Sequence, residues 1–224
     1  YIAHEAGFEK LRYFKRKPAL TINDVASAEI VDLSTVFKSK SKKTDDVEDT
    51  AKFVARYLKT IHCDLFFANG IIVVEGAAER MLIPHFIRNY YGNSLNQNYI
   101  SILEVGGAHA QRLRPLIDAL ALPTLVITDT DATQSIEGKN VKVRPEKHKG
   151  HGFGSDTLKQ WFDMKSNSLD EVLDLDNEHK IKGTVRAAYQ CGISAIYKKG
   201  DSPIEVIPYT FEDALVLTNI PLFK

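Results

Sequence analysis

The chain has 224 residues, 44% hydrophobic and 26% charged, an ordinary globular composition that fits one large domain or two small ones. Its 29 Lys and Arg balance 29 Asp and Glu, which excludes a uniformly basic surface and confines any phosphate-binding surface to a local patch. No apolar run reaches the ~18 residues of a membrane span, and neither Cys63 nor Cys191 sits in a CxxC or CxxH pattern, so membrane-spanning and zinc-scaffold classes are set aside and a reducing cytoplasm fits.

The opening, Tyr1-Ile2-Ala3-His4-Glu5, does not read as a signal peptide and has no initiator Met, as expected of a piece of a longer protein. Residues 8–33 alternate short apolar groups with charge and read as strands and turns. Lys38-Ser39-Lys40-Ser41-Lys42-Lys43 is polar and basic and reads as a linker. Thr44, followed by Asp45, Asp46 and Glu48, starts a helix. Val47, Ala51, Val54, Leu58 and Ile61 form its apolar stripe.

Strand–helix alternation follows. Ile71-Ile72-Val73-Val74 has the wholly apolar character of a parallel strand covered on both faces. A helix is expected over 77–91, a second strand over 100–105, a helix over 109–120 and a third strand over 124–128. Three such units in series predict a doubly wound parallel sheet, whose strand ends hold ligands. Residues 137–155, rich in Gly, Lys and His, read as a loop. From Leu158 to Leu173 the pattern is helical, a small insertion with Trp161 in its core. Strand-like segments return at 185–189, where Tyr189 should be buried, and at 204–207, before a last helix over 211–217.

The chemistry is expected at the ends of the first and third strands. Glu75 ends one, and Glu79 lies a helical turn further on, so both carboxylates can face one point. Asp129 and Asp131 end the other; in an extended segment residues i and i+2 point to the same side. If the strands are neighbours, four carboxylates meet. They repel unless a cation joins them, and hard divalent ions such as Mg2+ or Mn2+ take oxygen ligands of this kind.

Val74-Glu75-Gly76-Ala77-Ala78-Glu79, followed by Thr128-Asp129-Thr130-Asp131, resembles the Toprim signature of topoisomerases, bacterial primases and several nucleases. The flanks Asp64-Leu65-Phe66-Phe67-Ala68, Leu103-Glu104-Val105-Gly106-Gly107, Ala187-Ala188-Tyr189-Gln190 and Tyr209-Thr210-Phe211-Glu212-Asp213-Ala214 look like the OLD (overcoming lysogenisation defect) nucleases, to which the Gabija anti-phage nuclease is related. The resemblance implies a Toprim α/β fold, a parallel sheet flanked by helices with a small helical insertion. It implies an endonuclease or nickase of phage defence that cuts DNA with two Mg2+ or Mn2+ ions. Glu75, Glu79, Asp129 and Asp131 are then metal ligands, with Glu75 alternatively a general acid or base. Glu212, or Asp213 as the second choice, completes the metal sphere.

In that family an ABC-type ATPase domain precedes the Toprim domain. The divisions expected are therefore an ATPase tail and basic linker at 1–43, Toprim core at 44–135, an insertion at 136–183 and completion of the core at 184–224. ATP would act only through the missing ATPase body, since no GxxxxGK[ST] pattern occurs. A homodimer of the full-length protein and a helicase partner are implied in the same way. The family also uses a lysine C-terminal to the last helix; Lys224 has no supporting context for that role, and the resemblance does not say whether the lysine lies beyond it. His109 either contacts phosphate or caps the helix it precedes. The basic run from Lys142 to His151, with Arg144 and Lys147, is the candidate nucleic-acid-binding loop. Two other readings remain: a topoisomerase or primase fragment, whose accessory units nothing here resembles, and a non-catalytic metal-binding regulatory domain. A DxD phosphatase would need Asp where Glu75 stands.

Overall fold

The computed structural model describes residues 10–36, 44–60, 63–106, 109–164, 166–198 and 200–223. The opening pentapeptide, the basic run 38–43, Gly107 and Lys224 lie outside them. The first described elements are β1 (Arg12–Lys17) and β2 (Ser27–Asp32), an antiparallel pair running from Arg12 opposite Asp32 to Lys17 opposite Ser27. After a short helix, α1 (Leu33–Val36), comes α2 (Thr44–Thr60). Val54 and Leu58 of its apolar stripe are buried and Ala51 packs beside them; Ile61 and the side chain of Val47 lie outside the described residues.

The centre is a five-stranded sheet in the order β4-β3-β5-β10-β9. Its strands are β3 (Gly70–Val74), β4 (Ile100–Glu104), β5 (Thr124–Ile127), β9 (Ile181–Lys182) and β10 (Val185–Ala188). β3 is parallel to β4 and β5, and β5 to β10; only the short β9 runs antiparallel. All five residues of β3 are buried, as a strand with both faces covered requires. Ile71 and Val73 face a core built with Val54, Leu58, Leu103, Val126 and Val185. On that face α5 (Arg114–Leu120) adds Leu116, Ile117 and Leu120. The alternate residues, Ile72 and Val74, pack on the other face with Ile83 of α3 (Ala77–Tyr90), which is followed by the short α4 (Gly92–Leu95).

Residues 109–120 were expected as one helix; a 3-10 turn, Ala110–Leu113, precedes α5, where Pro115 occupies the first turn. The expectation of a loop over 137–155 is wrong. β6 (Ala132–Ile136) and β7 (Lys139–Lys142) form a hairpin, and β8 (Gly152–Phe153) pairs with the start of β6. The turn is two residues, Glu137 and Gly138, both at positive φ (51° and 77°), the geometry that matches strand twist in tight hairpins. All of β7 is exposed, so no hydrophobic alternation marks it. β6 also runs across the boundary expected at 135/136.

The helical stretch after it divides into α6 (Asp156–Trp161) and α7 (Leu169–Leu173). Trp161 is 1% exposed and belongs to the main core. Phe153, Leu158, Leu169 and Val172 form a second core with Ala132 and Ala187, tying the insertion to β10. Tyr189 follows β10, half-buried, its hydroxyl donating to the Val172 carbonyl at 2.6 Å. β11 (Ile193–Ala195) and β12 (Ile204–Val206) pair apart from the main sheet, before α8 (Phe211–Thr218). Among the described residues no helix is long and apolar enough to cross a membrane.

Leu116 is fully buried in the main core, whereas Leu20 on the β1–β2 connection is 87% exposed. Leu116→Ala is expected to cost about 3 kcal/mol and Leu20→Ala under about 0.5 kcal/mol, measured by urea unfolding.

Candidate functional site

β3 and β5 are sheet neighbours, aligned from Ile71 opposite Thr124 to Val73 opposite Val126, so their carboxyl ends lie side by side. Glu75 is the first residue beyond β3 and Asp129 the second beyond β5. Glu75 Oε1 accepts hydrogen bonds from the Thr128 hydroxyl and, at 3.2 Å, from the Asp129 backbone N–H. Thr128 Oγ1 is also 3.1 Å from Ser155 Oγ. Ser155 caps α6, accepting from the Leu158 N–H at 3.3 Å. The insertion is thereby linked to Glu75 through two hydroxyls.

Asp129 Oδ1 accepts from Gln190 Nε2, while Gln190 Oε1 accepts from the Thr130 N–H at 2.9 Å. Glu79, one turn into α3, is only 7% exposed. Its Oε2 lies 3.2 Å from where a Cβ on Gly76 would stand, so the side chain folds back toward the end of β3. Its carboxylate has no hydrogen-bond donor among the described residues. The charge of Glu79 acts on Asp129, across the junction of the two strand ends.

Asp131 departs from its expected geometry. It sits at φ 50°, not in an extended segment, so the i, i+2 argument fails there. Asp tolerates this left-handed conformation better than most residues. Its carbonyl accepts the Gly154 N–H at 2.7 Å, and a Cβ on Gly154 would stand 3.0 Å from that oxygen. The loop between β8 and α6 therefore passes too close for a side chain. The Asp131 carboxylate accepts from Lys142 Nζ at 2.7 Å.

Glu212 lies exposed in the first turn of α8, near enough for its charge to act on Asp129. Asp213 is engaged in capping that helix: its carboxylate accepts from the Tyr209 N–H at 3.2 Å and stands 3.6 Å from Arg144 Nη2. Lys147 pairs with Asp174 at 3.1 Å. His109 does not cap the following turn with its side chain; its ring packs against Phe53, centroids 5.5 Å apart. Sequence reasoning assigned no role to Thr128, Ser155 or Gln190. Thr128 and Gln190 were visible only as parts of motifs, and the link from Gln190 to Asp129 needs β10 to be known as the neighbour of β5.

The family described as overcoming lysogenization defect protein-like, TOPRIM domain, matches residues 66–131. The chain carries an OLD-like Toprim domain. Endonuclease GajA from Bacillus cereus (strain HuB5-5) is 32% identical over 184 residues, which is 82% of this chain and 24% of that protein. The chain therefore spans less than two thirds of the length of its relative.

In the Toprim domain, burial pushes Glu75 up to about 7; the neighbouring Asp129 and Asp131 charges add to this, against the hydrogen bonds from Thr128 and Asp129. Burial likewise pushes Asp129 up to about 6, with Asp131, Glu79 and Glu212 adding, against the bond from Gln190. These mutual effects define one electrostatic cluster. Its donors are all carboxylate oxygens, short of hydrogen-bond donors, a set that suits a hard divalent cation. Among the described residues no three such groups stand close enough to enclose an ion.

Both carboxyls hold a proton more tightly folded than unfolded. Their stabilising contribution is full below the unfolded values, 4.5 for Glu75 and 3.8 for Asp129, and is lost as pH rises through about 7 and about 6 respectively. In EDTA, urea-unfolding free energy should show this loss, and Glu75→Gln should flatten its upper part.

Proposed function

We propose that this Toprim domain is the nucleolytic part of a larger protein, a metal-dependent endonuclease or nickase that cuts DNA phosphodiester bonds. The observation that carries the reading is the convergence of Glu75, Glu79 and Asp129, with Asp131 beside them, at the adjoining ends of β3 and β5. The likeness to an endonuclease supports it. Glu79, Asp129, Asp131 and Glu212 would hold two Mg2+ or Mn2+ ions, with Glu75 as a further ligand. Such ions supply polarisation of a phosphodiester and activation of water when bound.

Glu75 is also suited to general acid–base work, because burial among carboxylates brings its proton affinity near neutral pH. Lys142 and Arg144 bring positive charge to the carboxylates through Asp131 and Asp213, where a phosphate would approach. They are the proposed backbone contacts, with Lys147 and His109 as outer ones. Residues 1–43 fit the tail of an ABC-type ATPase domain. ATP control, dimerisation through the full-length protein, a helicase partner, phage defence and a cytoplasmic location belong to the same proposal.

The test is incubation of supercoiled plasmid with the chain in Mg2+ or Mn2+, beside Asp129→Ala and Glu75→Ala. Nicking or linearisation is expected, abolished by EDTA and reduced on the order of a hundredfold or more by either substitution. Cleavage that survives both substitutions would sink the assignment. Protein trapped covalently on cut DNA would favour a topoisomerase. Absence of cleavage with Mn2+ still bound would favour a regulatory metal site.

A further inference from the structure

We propose that Gln190 is a positioning residue that sets the orientation of the Asp129 carboxylate for cation binding; this rests on the metal-site reading above. Gln190 is 7% exposed and lies two residues beyond β10, the sheet neighbour of β5. The two strand ends are already joined there, the Thr128 N–H donating to the Ala188 carbonyl at 3.0 Å. Gln190 then uses both ends of its amide: Oε1 accepts from the Thr130 N–H at 2.9 Å and Nε2 donates to Asp129 Oδ1.

The backbone N–H of Thr130 can only donate, so it dictates which way the amide faces. The reversed amide would set a carbonyl oxygen against the Asp129 carboxylate and an NH2 against an N–H. The donor aimed at Asp129 is therefore fixed by the main chain of the segment that carries Asp129. Glu at this position would lose that donor, and an apolar residue would lose both bonds. Asp129 Oδ2 has no donor among the described residues and remains for a ligand. Groups that hold a ligand's orientation in this way typically change metal affinity by about 10–100-fold when removed.

The test compares Mn2+ binding by titration calorimetry, and thermal unfolding, for the unaltered 224-residue chain, Gln190→Met and Tyr189→Phe. Gln190→Met should stay folded and bind Mn2+ about tenfold or more weakly. Tyr189→Phe, which loses the bond to the Val172 carbonyl, should bind as the unaltered chain does. Unchanged affinity in folded Gln190→Met would overturn the proposal. If that variant does not fold, the side-chain amide signal of Gln190 in the unaltered chain decides. By NMR it should shift with Mg2+ occupancy, and a signal that stays in place while Mg2+ binds would overturn the proposal. An unaltered chain that binds neither ion would overturn the metal-site reading itself, and this proposal with it.

Discussion

Like charge buried at the junction of two parallel strands is the constraint around which this structure is arranged. β3 and β5 are adjacent, so Glu75 and Asp129 cannot avoid each other, and Glu79 folds in from the first turn of α3. Burying carboxylates together is unfavourable unless donors or cations compensate. Neutral donors do part of the work: the Thr128 hydroxyl and Asp129 N–H on Glu75, and the Gln190 amide on Asp129. Proton affinity rises despite them. A fold that keeps this cluster gives up stability near neutral pH, which a bound divalent cation would restore.

The segment after β5 belongs to the same arrangement. Its small core includes Ala187 of β10 and Ala132 at the start of β6, so it is packed on the sheet. From that base it reaches the site at three points. Ser155 meets Thr128, Gly154 holds the carbonyl of Asp131, and Lys142 meets the Asp131 carboxylate. Movement of the hairpin would be felt at Asp131 first.

What was legible in the sequence follows from how local each signal is. The apolar run of β3 and the strand–helix alternation reflect burial on both faces, so the parallel sheet could be read directly. The place of Glu79 in the first turn of α3 is a matter of helix start signals and was equally accessible. The conformation of Asp131 was not, because its positive φ accompanies a close approach by Gly154, 23 residues away. The β6–β7 hairpin escaped because β7 is exposed on every residue and only the Glu137-Gly138 turn marks it. The place of Gln190 depends on strand order, which no periodicity encodes.

The charge pattern explains why a balanced composition is compatible with a polyanionic substrate. Lys142 is paired with Asp131, Arg144 with Asp213 and Lys147 with Asp174. The Lys142 and Arg144 side chains are 67% and 68% exposed, and ion pairs this open hold their partners by only about 0–1 kcal/mol. Under the proposed function, a cation at Asp131 would weaken its hold on Lys142 and leave that side chain for a phosphate. Metal and nucleic acid would then favour each other, since each takes one half of the Lys142–Asp131 pair.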